Sequence, residues 1–141
     1  LLHDVGMSKV PAFLLNKPGP LKPEEREKIL PHPLVGIKLM HKMDVSFEEL
    51  VRACYEHHER MDGSGFPFNC NGADIHEYAR IIMIADLYDN ITTEREGYVK
   101  QTPFAAIAQL TDHMFTTLDP TVCVPVLTHI KDAFPYQGPL F

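Results

Sequence analysis

No run of 18 apolar residues occurs in this 141-residue chain, so nothing in it predicts a membrane-spanning helix. Its first residues, LLHDVGM, lack the basic region and small-residue cleavage site of a signal peptide. The three cysteines form no CxxC pair, which removes the common thiolate metal and redox motifs. Cys54 and Cys123 fall in apolar helical patterns and read as small core residues, and reduced thiols fit a cytoplasmic chain. Positive charge is also short. Lys and Arg number 13 against 19 Asp and Glu, a net charge of −6, which argues against a general DNA- or RNA-binding role. An anionic ligand would need local cations. Sustained period-two alternation of β-branched residues is missing too, which argues against a β-rich fold.

What is present reads as one all-helical domain over residues 1–141, with 45% hydrophobic and 23% charged residues. PEEREKIL (23–30) opens on a proline and two glutamates, a favourable first turn. PLVGIKLMHKM (33–43) has a broad apolar face. Ser46 and Glu49 form a capping-box pattern before a helix over 47–58. EYARIIMIADLYDNI (77–91) is apolar almost all round and predicts a central buried helix. Residues 103–117 are amphipathic. Asp119 and Pro120 read as N-cap and first turn of a helix over 121–134, with a kink at Pro125. Loops rich in proline and glycine fill 7–22, 59–76 and 92–102; the first two are long, as functional loops tend to be. LLHDVG reads as the last turn of a helix closed by Gly6, and FPYQGPLF as the start of something that continues. The expectation is an incomplete fragment lacking its N-terminal helix.

Eight histidines make metal binding worth pursuing. His57 and His58 are adjacent at a helix end, followed by the turn DGSGFP. Neighbours on a helix point about 100° apart, so the pair suits a wide pocket or two ions side by side. His3 and Asp4 form a second tandem, and His32 opens another helix. Asp86 sits within the most apolar helix, where a bare carboxylate is costly unless paired or metal-bound. Four imidazoles and two carboxylates are a suitable set for two divalent cations, with Asp4 as the bridge. Such a centre would acidify a water for attack on phosphorus and clamp the phosphate oxygens. The plainer readings are dipole capping by His57–His58 and pairing of Asp86 with Arg80 or Arg52. Glu59 and Asp62 read either as acceptors orienting His57 or His58 or as loop caps. His41, His76, His113 and His129 fit no ligand position.

In order and spacing, HDVG, LNKPGPL, HPLVG, HHERMDGSGFP, ARIIMIADLYDNIT and Arg95 resemble the HD-GYP domain, a subgroup of the HD superfamily of metal-dependent phosphohydrolases. The resemblance implies a helical bundle with a buried binuclear metal site and hydrolysis of the bacterial second messenger cyclic di-GMP to linear pGpG or GMP. It implies metal ligation by His3, Asp4, His32, His57, His58 and Asp86, with Asp4 also the catalytic residue. Iron or manganese are the expected ions, with magnesium, nickel or zinc as alternatives. Gly65, Phe66, Pro67 and Arg95 would lie around the substrate, with Lys9 or Lys17 supplying further positive charge. Partners open to such a domain are cyclic di-GMP, a diguanylate cyclase domain, a receiver or sensory domain, and a second copy of the chain.

Several positions depart from that pattern. Met7 stands where the family has a lysine, Phe66 replaces the signature tyrosine, and Ala12 falls where some members carry a histidine for a third metal. EGYVK follows Arg95 where a more basic stretch is usual. These departures support a second expectation: a catalytically weak or inactive module that binds cyclic di-GMP or a signalling partner. Another nucleotide or cyclic dinucleotide as substrate is a third.

Overall fold

The computed structural model describes residues 2–133, in which every regular element is helical. A 3₁₀ turn over Val5–Lys9 precedes α1 (Ala12–Leu15), α2 (Pro23–Arg26), α3 (His32–Lys42) and α4 (Glu48–Glu56). A second 3₁₀ turn (Gly72–Asp74) leads into α5 (Glu77–Thr92), followed by α6 (Pro103–His113) and α7 (Pro120–Ala133). The all-α expectation holds, with α5 as the bridge between two packing units. On one side it meets α4, which in turn packs on α3, and α3 carries the first 3₁₀ turn; on the other it meets α6 and α7.

The α5–α6–α7 unit holds the main apolar core of Met83, Ile84, Leu110, Leu118, Val122, Cys123 and Leu127. A proline inside a helix costs about 3 kcal/mol. Here α7 runs through Pro125 as one element, because burial of Val122 and Leu127 on the same helix returns roughly 1.5–3 kcal/mol each. The start of α7 follows expectation: the Asp119 carboxylate accepts from the Thr121 amide at 2.8 Å, and its other oxygen takes Arg80. Phe134, the last residue expected in this helix, lies outside the described residues.

Four local expectations change. Ser46 forms no capping box; Phe47 holds the N-cap position of α4 and its side chain makes no cap bond. The helix expected over 23–30 shortens to one regular turn, with the Glu25 carboxylate bonded back to the Lys22 amide at 2.8 Å. The central helix is not buried all round, since Tyr78 and Ile81 lie on an exposed face while Ala79, Met83 and Ile84 are buried. Finally, His3 and Asp4 do not end a helix; they precede the 3₁₀ turn. Gly6 lies inside that turn because it crosses the start of α3 so closely that a Cβ would overlap the His32 carbonyl oxygen and the Gly36 amide. The same tight layer continues below, where Gly36 faces the Cys54 thiol and that thiol donates to the His3 carbonyl at 3.3 Å.

Candidate metal centre and substrate cavity

Two helices deliver three of the histidines. His32 is the first residue of α3, His57 is the C-cap of α4, and His58 follows it. The Gly6 contact presses the His3–Asp4 pair onto these two helix ends. The Asp4 Oδ1 atom lies 3.2 Å from His32 Nε2 and 3.4 Å from His57 Nε2, and Oδ2 lies 3.5 Å from His3 Nε2. His58 Nε2 approaches His32 Nε2 to 3.1 Å. Two groups result, Asp4–His32–His57–His58 and His3–Asp4–Asp86, and they share Asp4. Within each group one ligand atom per residue lies within 4.8 Å of the others.

The backbone fixes which ring nitrogen faces inward. His32 Nδ1 donates to the Ile29 carbonyl at 2.9 Å, and His57 Nδ1 donates to the Cys54 carbonyl at 2.7 Å. A carbonyl oxygen cannot donate, so the ring proton sits on Nδ1 and the lone pair on Nε2. The two inward lone pairs are then 3.4 Å apart, with His58 beside them. Lone pairs converging at that distance repel unless a cation or proton lies among them. Burial, reinforced by the neighbouring His57 and His32, lowers the His58 pKa to about 3, which leaves a neutral imidazole, the form that ligates metal. Burial also lowers that of His3. Burial tends to raise Asp4, but a proton placed between its carboxylate and the His32 or His57 Nε2 atom outweighs burial and holds the carboxyl well below the usual range. Burial and the nearby Asp4 charge raise Asp86. The donor set fits two hard or borderline divalent ions.

Other assignments become concrete. Arg80 pairs with Asp119, and Arg52 pairs with Glu56 at 2.8 Å, so neither serves Asp86. Glu59 does not orient a histidine. It is fully buried and accepts the Phe68 and Cys70 amides at 2.7 and 2.9 Å, which ties down the loop after the histidines. Asp62 bonds Ser64. Within that loop Gly65 is buried against the Glu59 and Arg60 backbone, and the Phe66 ring stacks on His58 with centroids 4.6 Å apart at 20°. His76, set aside in the sequence, caps α5 by accepting the Tyr78 amide at 3.2 Å.

A cavity of about 720 Å³ adjoins the centre, a volume typical of small-molecule sites. Its wall includes Met7, three residues beyond Asp4, and Ile29, whose carbonyl holds His32. Asn90 also lines it and donates to the Asp86 carbonyl at 2.8 Å, and the Arg95 charge in the same wall is felt at Asp86. Lys17 reaches the cavity with its ammonium tied to Glu25, whereas Lys9 is exposed and outside the lining. Gly65, Phe66 and Pro67 are not in this wall; they sit on the His58 side. Asn90 was within reach of sequence reasoning, being one helical turn from Asp86 on the same face. Glu96 and Tyr98 were not, because their wall forms by tertiary docking.

A helical bundle that gathers four histidines and two aspartates from four chain segments defines a class of protein built to hold metal ions. Residues 1–122 match the HD domain family, and the chain belongs to it, in the HD-GYP subgroup. It is 33% identical over 120 residues to a 3′3′-cGAMP-specific phosphodiesterase of Vibrio cholerae, covering 85% of this chain and 26% of the relative. It is 39% identical over 95 residues to a cyclic di-GMP phosphodiesterase of Pseudomonas aeruginosa, covering 67% and 23%. Against a cyclic di-GMP phosphodiesterase response regulator of Xanthomonas campestris it is 35% identical over 127 residues, covering 89% and 33%. The chain thus spans about a quarter to a third of the length of these relatives.

Proposed function

We propose that this chain is the catalytic domain of a phosphodiesterase that opens cyclic di-GMP by adding water across one phosphodiester, giving linear pGpG, and across the second to give GMP. The observation that carries this reading is the Asp4 carboxylate shared between two ligand groups, together with a nucleotide-sized cavity whose wall residues Ile29 and Asn90 bond His32 and Asp86. Asp4, His32, His57 and His58 would hold one ion, and His3, Asp4 and Asp86 the other. When bound, the pair supplies an acidified water and positive charge against the phosphate oxygens. Iron or manganese are the ions proposed for an N/O set of this kind. The remaining chemistry is the chain's own. The Ile29 and Cys54 carbonyls hold two imidazoles in the ligating tautomer, and Phe66 covers His58. Arg95, a cation of the wall with no ionic partner among the described residues, would neutralise charge developing on phosphate.

The test is cyclic di-GMP hydrolysis by anaerobically purified protein with its metal content counted. Linear product, lost on chelation and restored by iron or manganese, is the expected result. Intact substrate with metal bound would remove the enzymatic reading.

A second reading, a domain that binds the nucleotide and turns it over slowly, is favoured by one observation. Met7, three residues beyond Asp4, puts a thioether in the cavity wall, at the position where the HD-GYP resemblance implies a lysine. Met7→Lys would add a cation to the cavity wall. A preorganised charge of this kind is worth roughly 10- to 100-fold in kcat. We expect kcat to rise by about that factor with metal content unchanged; an unchanged or lower rate would show that Arg95 and the ions already suffice.

A further inference from the structure

The cavity wall contains an anion that a phosphodiester substrate does not call for. Glu96 lines it together with Arg95 and Tyr98, all three on its solvent-exposed side. Among the described residues its side chain has no hydrogen-bond or ionic partner, although Glu94 takes Lys100 at 3.2 Å and Glu25 takes Lys17. Its backbone is held in place. Arg95 to Tyr98 form a turn closed by Tyr98 N–H to the Arg95 carbonyl at 3.0 Å, with Gly97 at φ +81°. The Glu96 carbonyl accepts the Gly19 amide at 3.1 Å, and Gly97 lies so close to Gly19 that a Cβ would overlap that backbone. The carboxylate is therefore carried on a docked turn of the cavity wall.

An unpaired carboxylate repels a dianionic cyclic dinucleotide unless it meets N–H groups on the base. Guanine presents N1–H and N2–H₂ side by side on its Watson–Crick edge, two donors that match the two oxygens of a carboxylate. Adenine presents one donor, N6–H₂, beside the bare N1 lone pair, which would face the second oxygen. We propose that Glu96 selects guanine over adenine in this cavity, with the Tyr98 ring beside it as the stacking face. This rests on the cyclic dinucleotide reading above and adds to it the base specificity of one subsite. Neither the anion nor the ring is explained by phosphate binding, the role proposed above for Arg95.

The experiment is equilibrium titration of the purified protein and its Glu96→Ala and Glu96→Gln variants with GMP, AMP, cyclic di-GMP, 3′3′-cGAMP and cyclic di-AMP. A charge-assisted pair is worth roughly 10- to 100-fold in affinity. We expect the wild type to prefer GMP, and Glu96→Ala to weaken GMP by about that factor while changing AMP by less than about threefold. Glu96→Gln, which offers one acceptor and one donor, should shift the ratio towards AMP. A fold or packing defect would weaken both nucleotides together. Absence of a guanine preference in the wild type, or its survival in Glu96→Ala, would overturn the assignment. Hydrolysis is scored separately. If no cyclic dinucleotide is cut, the phosphodiesterase reading falls, and the GMP to AMP ratio still decides Glu96.

Discussion

Asp4→Asn is expected to abolish bound metal pairs and to lower cyclic di-GMP hydrolysis by at least about 10³-fold, while leaving the protein folded. The amide has the volume of the carboxylate but no net charge, and its nitrogen would point a donor at one of the groups Asp4 serves. The size of the effect follows from position. Asp4 Oδ1 faces His32 and His57 while Oδ2 faces His3, and both ligand groups contain this residue. Asp86 belongs to only one group, and so does His58. Asp86→Asn and His58→Ala should therefore each leave the other group's ligands intact and retain close to one ion per chain. Metal counting by plasma emission, with circular dichroism as the fold control, separates these cases. An Asp4→Asn protein that keeps two ions and a normal rate would disprove the shared-carboxylate centre. A further check is thermal: added manganese should raise the melting temperature of the wild type, because an ion that binds only the folded state stabilises it, and should not raise that of Asp4→Asn.

The clustering of the candidate ligands was legible in the sequence because metal ligands must be particular residue types. His3–Asp4, His32, His57–His58 and Asp86 stand out by type, and the structure brings all six into one place. The all-α class, the N-cap role of Asp119 and the long α5 were legible for a related reason, since each is a local pattern of period or cap. What escaped was whatever depends on two distant segments touching. Gly6 looks like a helix stop in one dimension and proves to be a crossing point with α3. Glu59 looks like a ligand-orienting acid beside two histidines, yet its oxygens go to the Phe68 and Cys70 amides. Ser46 and Glu49 match a capping box that does not form, because a pattern of two residues does not determine the entry angle of the chain. The cavity is the clearest case. Its wall joins Met7, Leu14 to Leu21, Ile29, Asn90 and the Arg95 turn, segments that meet only through packing.

Gly6→Ala is expected to destabilise the protein by about 2–4 kcal/mol and to reduce metal binding without touching a ligand. The added methyl meets the His32 carbonyl oxygen and carbon and the Gly36 amide nitrogen, all of them backbone atoms of α3. No rotamer change relieves such a clash; the 3₁₀ turn must lift from α3, and that motion carries Asp4 away from His32. A sub-ångström shift suffices to spoil a ligand set whose members stand 3.1 to 3.5 Å apart. Gly36 supplies the contrast. A methyl there meets the Cys54 sulfur, a side-chain atom, so Gly36→Ala should be rescued in part by Cys54→Ala, which vacates the space. The same second substitution should leave Gly6→Ala unrescued. Urea unfolding of the four variants measures the stability side, and metal titration measures the other. Equal stability of wild type and Gly6→Ala would mean that the turn does not rest on α3 as closely as drawn. Loss of stability with full metal occupancy would break the link between this crossing and the centre. The link is physical: the glycine has no chemistry of its own, but it sets the distance at which one chain segment can hand a carboxylate to the histidines of two others.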